Sequence, residues 1–367
     1  MKPVNELNNK ISLAHDHLFQ VGGAERVLVT LVKMFPKAPI YTLINIKKIT
    51  KNLLPQDRII SSSLQAMPNK KSIFKYCLPL MPKIWEKTKV DNSDILISSC
   101  SGLVKGISKG QGVKHVCYCY APTRYLWEDK EEYLDNLPEG RLLKILWPEL
   151  LDKLKKWDFD KAQEVDHFIT ISQHIADKID KQYKRQAEII YPPVKVSDFK
   201  IADEIEDYYL IVSRLRPYKR VDLAIKAFNN LKLPLKIIGS GSELGKLKKL
   251  AHNNIEFLGE LSDEKRNHYL SHCRAFIYPQ IEDFGITAVE AMASGRPVIA
   301  LRAGGALETV QAGVSGVFFD EQTWESLAHC VLRFDVKDFD PALVRAQALK
   351  FDEAIFIKRF EEYIAKL

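Results

Sequence analysis

The sequence predicts an α/β protein with two domains, each built on a parallel β-sheet. Three observations predict it: buried apolar runs alternate with segments of 3.6-residue spacing, glycine turns follow several runs, and a proline pair interrupts the alternation once. The 367 residues are 46% hydrophobic and 28% charged, a globular composition long enough for two cores. The net charge of +7 suggests an acidic surface or substrate as partner.

The first half begins with a predicted strand over residues 10–16, apolar enough to be buried. The turn "VGGAER" follows it and leads into a helix over 24–35. Further buried strands are predicted at 39–44, 94–100, 114–120 and 165–172. A helix is predicted over 173–183. The six cysteines have no framework spacing, so we expect reduced, buried thiols.

The stretch "IIYPPVKVSDF" marks the predicted domain boundary, near Val194, because its prolines disfavour helix and strand alike. The strand–helix alternation then restarts, and the chain ends in an amphipathic helix. The sequence therefore predicts a domain of residues 1–194, joined by the terminal helix 351–367, and a domain of residues 195–350. Two such Rossmann-like domains are expected to leave a cleft at the carboxyl ends of their strands, where ligands bind.

No signal peptide or membrane-spanning run is apparent, so a soluble or peripheral protein is expected. Residues 69–90 combine six lysines with aromatic and aliphatic side chains and one acid. This pattern is typical of a segment that binds an anionic membrane surface. It is equally typical of a helix pair whose lysines face water.

Four cations follow the first strand of the second domain in "VSRLRPYKRVD": Arg214, Arg216, Lys219 and Arg220. Like charges repel, so the cluster indicates a multiply charged anion such as a phosphate group. A solvated basic loop is the alternative. On the first-domain side, Gly22 and Gly23 are expected to present backbone N–H groups to a diphosphate.

The segment "EDFGITAVEAMASG" has a glutamate on each side of a glycine turn, with a helix predicted over 287–292. Backbone N–H groups of residues 284–287 could bind a negatively charged or hydroxyl-rich group. Glu282 and Glu290 could each accept hydroxyl hydrogen bonds, one pair from a ribose and one from a sugar ring. The alternative is a helix-start glutamate favoured by the dipole. Upstream, "GSGSE" suggests close approach of a flat ligand, although tight turns often carry glycine.

Together these segments resemble family 4 of the retaining glycosyltransferases, which have the two-domain GT-B fold. The resemblance runs from "GGAERVL" through "APTRYLW" and "SRLRPYKRVDLAI" to "EDFGITAVEAMASGRPVIALRAGG". The variants "EDFGI" and "CYAPTRYLW" are most similar to GDP-mannose-dependent mannosyltransferases of bacterial O-antigen and exopolysaccharide assembly. The fold implies a terminal helix that crosses back to the first domain.

The resemblance implies a role for each matching residue. Arg214 and Lys219 would bind the donor diphosphate, Glu290 the ribose, and Glu282 the donor sugar. The remaining donor-binding positions are Gly22, Gly23, Gly239, Leu258, Gly259, Phe284, Gly285, Ile286 and Thr287. The expected catalytic residues are Arg214, Lys219, Glu282 and Tyr120. Tyr120 stands where family members often have a histidine that contacts the donor sugar; a tyrosine can donate a hydrogen bond there but cannot take a proton near neutral pH.

The implied reaction is transfer with retention at the anomeric carbon, without a metal or other cofactor. Since the sequence places no nucleophilic carboxylate, front-face substitution is favoured, with charge stabilised at the diphosphate. The acceptor would be a saccharide or a polyprenol-linked saccharide. The protein is expected in the cytoplasm or on the inner face of the plasma membrane.

Five other functions are weighed against this one. A UDP-sugar transferase of the same fold and a non-catalytic sugar-nucleotide-binding scaffold remain alternatives. A hydrolysing epimerase would show a different motif order, and a dehydrogenase would need Gly-x-Gly-x-x-Gly after the first strand. Nucleic-acid binding is not expected, because no reader motif accompanies the positive charge.

Overall fold

A computed structural model describes residues 10–69, 74–135 and 141–367. The chain forms two compact units. The first unit contains the described residues up to Tyr191 together with Ile357–Leu367, and the second unit is Pro192–Phe356. The division thus falls just before Val194, and the part of the terminal helix that joins the first unit begins at Ile357 rather than at residue 351.

A seven-stranded parallel sheet forms the first unit, in the order β3-β2-β1-β5-β7-β8-β9, and a two-stranded parallel sheet pairs β4 with β6. The strands are β1 Ile11–His15, β2 Ile40–Thr42, β3 Ile59–Ser61, β4 Lys89–Val90, β5 Ile95–Cys100, β6 Ser108–Lys109, β7 Lys114–Cys119, β8 His167–Thr170 and β9 Ala187–Ile189. The central strands are continuous apolar runs because both faces of a parallel sheet are covered. All six residues of β5 are buried.

Helices connect these strands. They are α1 Gly23–Met34, α2 Lys47–Thr50, α3 Met81–Lys87, α4 Arg124–Trp127, α5 Lys130–Asp135, α6 Arg141–Glu164 and α7 Gln173–Tyr183. Short 3-10 turns lie at Gln56–Arg58, Ser63–Ala66, Phe74–Leu80 and Val104–Gly106. The predicted strands and both predicted helices of this half are therefore present.

The second unit contains a six-stranded parallel sheet in the order β12-β11-β10-β13-β14-β15. Its strands are β10 Tyr209–Val212, β11 Leu235–Ile238, β12 Ile255–Gly259, β13 Phe276–Tyr278, β14 Val298–Leu301 and β15 Gly316–Phe319. Its helices are α8 Val221–Leu231, α9 Leu244–Leu250, α10 Asp263–His272, α11 Ile286–Ala293, α12 Ala306–Thr309, α13 Trp324–Arg333 and α14 Pro341–Leu349. The 3-10 turns are Val196–Asp198, Pro217–Lys219 and Val336–Asp338. Two Rossmann-like parallel sheets confirm the predicted fold class.

The last helix, α15 Glu353–Ile364, begins in the second unit and ends in the first. Its buried Phe360 ring lies 6.5 Å from the ring of Phe35 and 6.1 Å from that of Tyr118. The expectation that the terminal helix packs on the first domain is confirmed.

The six cysteines are all free, and five of them are buried, as expected. In the parts of the chain that the structure describes, no helix combines the length and the apolar character needed to cross a bilayer. The predicted membrane segment 69–90 lies partly outside the described residues. Within it Leu78, Met81 and Trp85 are buried, whereas Tyr76 is 40% and Leu80 is 55% exposed.

Candidate functional site

The predicted donor-binding residues of the second unit follow the carboxyl ends of four strands. Arg214 and Lys219 come after β10, Gly239 after β11, and Glu282 after β13. Leu258 and Gly259 end β12. Because these strands are parallel, their carboxyl ends share one edge of the sheet, which is the ligand-binding edge of such folds.

Lys219 and Glu282 form an ion pair across two of these loops. Lys219 ends the 3-10 turn Pro217–Lys219, and Arg220 then takes a left-handed conformation, with φ of 50°, before α8 begins. The side chains of Lys219 and Glu282 are 12% and 23% exposed, so the pair is partly desolvated but open to solvent. The sequence assigned these two residues to different parts of a donor. The structure brings them together.

Two further cations stand beside this pair. The side chains of Arg214 and Arg216 are exposed, and within the described residues neither has a carboxylate partner. Arg214 reaches only a hydroxyl, that of Tyr218, at 3.5 Å, and Arg216 only that of Ser242, at 3.4 Å. Both guanidinium groups therefore retain most of their capacity to bind an anion.

Arg220 serves a different purpose from its neighbours. Its Nη1 donates to Gln322 at 3.1 Å, and Gln322 in turn donates to the carbonyl of Pro279 at 3.0 Å. Its Nε lies 3.4 Å from Asp222. Arg220 thus connects the start of α8 to the loop that carries Glu282, and positions that loop.

Gly239 allows the β11 loop to lie against the β10 loop. Its φ is +134°, and a Cβ atom there would lie 1.9 Å from the carbonyl oxygen of Ser213. Its N–H donates to the carbonyl of Gly259 at 2.8 Å. The β11–β12 register shifts at this point, from Ile237 opposite Phe257 to Ile238 opposite Gly259, so that Leu258 is an inserted residue. Bulges of this kind often adjoin active sites.

Gly285 makes the turn into helix α11. Its φ is +95°, and a Cβ atom there would lie 2.5 Å from the Tyr278 hydroxyl. That hydroxyl is buried and has no hydrogen-bond partner within the described residues. The helix begins at Ile286, so the N–H groups of Ile286 and Thr287 belong to its first turn and need partners from outside the helix. Phe284 is buried, with its ring 5.4 Å from that of Phe351.

Glu290 occupies a different environment from Glu282. It is only 2% exposed, and its Oε1 lies 3.6 Å from Nη2 of Arg266. The sequence predicted that this carboxylate accepts hydroxyl hydrogen bonds, whereas the structure shows it buried beside a guanidinium group. Its role in binding ribose stays a prediction.

In the first unit, Gly22 and Gly23 lie at the start of α1, after β1. The N–H of Gly22 donates to Oε2 of Glu25 at 2.7 Å. Oε1 of Glu25 lies 3.8 Å from Nε2 of His15. Burial would raise the pKa of Glu25, but the His15 ring and the backbone N–H groups outweigh burial and lower that pKa. The N–H of Gly22 is therefore already satisfied by a carboxylate.

Tyr120 belongs to the same network. Its hydroxyl lies 2.8 Å from the hydroxyl of Ser99 and donates to the carbonyl of Ala24 at 3.1 Å. Ser99 also lies 3.0 Å from Nδ1 of His15. Burial raises the pKa of Tyr120 well above its usual value, so the phenol remains protonated. The structure therefore places Tyr120 as a support for the start of α1.

Sequence reasoning missed His15, Glu25, Ser99 and Tyr278. One signal was present: Glu25 stands three residues after Gly22, the spacing at which a side chain returns to the N-cap backbone. The contacts of His15, Ser99 and Tyr278 depend on strand packing, which the sequence does not show.

The described residues contain one group with the spacing of metal ligands, formed by Glu206, His268 and His272, whose ligand atoms lie within 4.8 Å of one another. Glu206 precedes β10, His272 ends α10, and His268 lies one turn earlier in that helix, before β13. The group therefore lies toward the amino ends of the strands, away from Lys219 and Glu282.

Comparison with known proteins agrees with this geometry. Residues 196–334 match the family described as "Glycosyl transferases group 1". The O-antigen chain mannosyltransferase RfbU of Salmonella typhimurium is 31% identical over 36% of this chain and 41% of its own length. The GDP-mannose-dependent alpha-(1-6)-phosphatidylinositol monomannoside mannosyltransferase of Mycobacterium tuberculosis is 31% identical over 33% of this chain and 36% of its own length.

Similarity to solved structures extends over nearly the whole chain. The crystal structure of Anabaena Alr3699/HepE in complex with UDP superposes with a TM-score of 0.71 and 18% identity, over 98% of this chain and 100% of that one. In sequence, by contrast, the chain spans less than half the length of the two curated relatives. The chain therefore shares the fold of the Anabaena protein, and its residues 196–334 match the group 1 glycosyl transferase family.

Proposed function

We propose that the protein is a retaining glycosyltransferase that moves mannose from GDP-mannose onto a saccharide or lipid-linked saccharide. The observation that carries the proposal is the arrangement at the carboxyl edge of the second unit. There Lys219 pairs with Glu282, beside two exposed arginines without carboxylate partners in the described chain. The family of residues 196–334 supports sugar transfer as the reaction.

In this proposal the donor diphosphate binds Arg214 and Lys219. Lys219 then exchanges its contact with Glu282 for a phosphate oxygen, and Glu282 becomes available to the sugar hydroxyls. Charge-assisted hydrogen bonds from guanidinium and ammonium groups to phosphate are among the strongest in proteins. The first-turn N–H groups of α11 add positive potential beside Gly285.

The reaction breaks the bond between the anomeric carbon and the diphosphate oxygen. An acceptor hydroxyl forms the new bond on the same face of the sugar, and its proton passes to the departing diphosphate. Arg214 and Lys219 stabilise the negative charge that develops on the leaving group, which is the largest catalytic contribution in reactions of this type. With those cations no metal is required, so we expect EDTA to leave the rate unchanged.

GDP-mannose is favoured over other donors by the relatives. One is named as GDP-mannose-dependent and another as an O-antigen chain mannosyltransferase. The UDP bound to the Anabaena protein supports the alternative, a UDP-sugar transferase. No cofactor beyond the donor is proposed.

A thermal-shift panel of GDP, UDP and ADP, each with and without its sugar, tests the donor. We expect the largest rise in melting temperature with GDP and GDP-mannose. A larger rise with UDP would favour the alternative donor, and no rise with any nucleotide would contradict the proposal. NMR of the product's anomeric proton then tests retention.

Membrane attachment through residues 69–90 is part of the proposal for a lipid-linked acceptor. Among its described large apolar side chains, those of Tyr76 and Leu80 are exposed and able to enter an interface. Flotation with anionic vesicles should recover the protein at low salt and lose it at high salt. Tyr76→Ser with Leu80→Ser should weaken flotation, and absence of binding at low salt would exclude the attachment.

A further inference from the structure

A cavity of about 180 Å³ opens in the first unit beside the end of β1. Twelve residues line it, and most of them present apolar or aromatic side chains. Leu43, Leu78, Met81 and Leu103 are buried in its wall. We call this space the β1 cavity. Its lining comes from the first unit alone.

Aromatic rings form a large part of the wall. The His17 ring stacks on that of Phe19 at 3.9 Å, and the edge of Phe74 meets both rings, at 5.2 and 5.1 Å. Tyr125 and Tyr133 also line the cavity, with centroids 5.3 Å apart. Such rings bind flat or branched apolar groups through large contact areas.

The floor of the cavity is held in place by Asp16. Its Oδ2 accepts the N–H groups of Ser101 and Gly102, both at 2.8 Å, and its Oδ1 accepts that of Val104 at 2.9 Å. Both carboxylate oxygens are therefore occupied. Asp16 shapes the cavity and has little capacity left for a ligand.

His17 is the polar group with unused capacity. Its Nδ1 is buried and has no hydrogen-bond partner among the described residues. Burial lowers the pKa of His17 in spite of the nearby Asp16 carboxylate, so the ring is neutral at pH 7. A buried nitrogen without a partner is costly, and a ligand hydroxyl would remove that cost.

We propose that the β1 cavity binds an apolar group about the size of one aromatic ring, carried by the acceptor, with an adjacent hydroxyl on Nδ1 of His17. A cavity of about 150 Å³ lined by apolar side chains is large enough for benzene, so this volume fits one ring or a short branched chain. It is too small for a helix or strand of a protein partner. The identification of the ligand as the acceptor rests on the proposed transfer reaction, whereas binding to the cavity does not.

The apolar group could come from an aryl glycoside or from an isoprenoid lipid, and three ligands distinguish these sources. Calorimetry without donor compares phenyl, prenyl and methyl α-D-mannosides. We expect the phenyl or the prenyl glycoside to bind at least 10-fold more tightly than the methyl glycoside, and the tighter of the two names the source. Equal affinity for all three, or no binding by any, would overturn the proposal.

Cavity-filling variants locate the binding. Leu78→Phe places extra volume in the wall, whereas Leu53→Phe makes the same change on an exposed side chain of the first unit that does not line the cavity. We expect Leu78→Phe to abolish the preference for the apolar glycoside and Leu53→Phe to preserve it. Met81→Phe serves if Leu78→Phe does not fold. An unchanged preference in a folded cavity variant would contradict the assignment.

The two proposals can fail separately. If nucleotides do not bind but the apolar glycoside retains its preference, the donor assignment is wrong and the cavity assignment stands. If transfer from a nucleotide sugar proceeds equally well to all three glycosides, the cavity assignment is wrong and the donor assignment stands. His17→Phe retains the stacked ring, so we expect it to reduce affinity for the glycoside without removing the apolar preference.

Discussion

In the first unit several polar groups at and after the end of β1 contact one another, whereas in the second unit two of the cations after β10 have no carboxylate partner among the described residues. Gly22, Glu25, His15, Ser99 and Tyr120 form one chain of short contacts. In the second unit Lys219 has Glu282, but Arg214 and Arg216 reach only hydroxyls. We infer that the turn between β1 and α1 is held rigid, whereas the loop after β10 binds a charged ligand.

The strongest test of this difference is Lys219→Ala. We expect turnover to fall at least about 100-fold, the loss typical of removing one group that stabilises transition-state charge. Lys226→Ala removes an exposed lysine from α8 and should leave turnover unchanged. Steady-state kinetics with the donor measures both variants. A rate close to that of the wild type in Lys219→Ala would remove this residue from the mechanism.

Gly239→Ala tests whether the second unit's loops need their close approach. The side chain would meet the Ser213 carbonyl in a backbone conformation that L-residues rarely adopt. We expect the free energy of unfolding to fall by about 2–3 kcal/mol. Gly245→Ala is the matched control, because a Cβ atom at Gly245 meets open space. Gly245 lies in α9, where alanine should raise the free energy of unfolding by about 1 kcal/mol. Equal stability of the two variants in urea would contradict the loop geometry.

Acid should lower the stability of the first unit, because protonation of a buried histidine is unfavourable in the folded state. Burial, and then the nearby Lys109, lowers the pKa of His115 to about 3, against 6.5 for the free side chain. The unfolded chain therefore binds more protons as the pH falls below 6.5, and the native state loses stability. Between pH 7 and pH 5 this group should reduce the free energy of unfolding by about 2 kcal/mol.

The variant His115→Gln is the control for the acid effect, because glutamine can still bond the Ser98 hydroxyl but does not titrate. Urea unfolding followed by tryptophan fluorescence reports mainly on the first unit, since four of the five tryptophans lie there and only Trp324 lies in the second. An identical pH dependence of stability in the wild type and the variant would contradict the buried, neutral His115.

Tyr120→Phe tests whether the first-unit network supports the turn or reacts with the donor. If it supports the turn, turnover should fall less than about 10-fold and stability by about 1 kcal/mol, the value of a typical hydrogen bond. Ser99→Ala should produce a similar loss, and the double variant little more, because the residues act as one network. A loss of turnover as large as that of Lys219→Ala would instead support the catalytic role that the sequence predicts for Tyr120.

Tyr278→Phe should have the smallest effect. Its hydroxyl is buried without a partner within the described residues, so its removal leaves no acceptor or donor unsatisfied. We expect the free energy of unfolding to change by less than about 0.5 kcal/mol. A thermal melt measures this. A loss above about 1 kcal/mol would show that the hydroxyl has a partner, such as a water molecule, beneath Gly285.

The fold could be predicted from the sequence because buried parallel strands consist of continuous apolar runs. The helix predicted over residues 173–183 has those bounds in the structure. The strands β3, β9 and β15 were not predicted. They have three or four residues each and lie at sheet edges, where a short segment carries too few apolar residues to form a pattern.

The site was predictable in its residue types and less so in its contacts. The glycine at position 285 and the cations after β10 could be identified because each has few structural explanations. The pairing of Lys219 with Glu282, the burial of Glu290 and the engagement of Tyr120 depend on how separate loops and strands meet. A single sequence records spacing along the chain and does not record those distances.

Calorimetric binding of GDP and UDP tests the central claim most directly. The full chain is compared with the double variant Arg214→Ala/Lys219→Ala, with circular dichroism to show that both are folded. We expect one nucleoside diphosphate to bind the wild type and the double variant to lose at least about 100-fold in affinity, or about 2.7 kcal/mol. Equal affinity in the folded double variant would contradict a diphosphate site at this edge of the sheet.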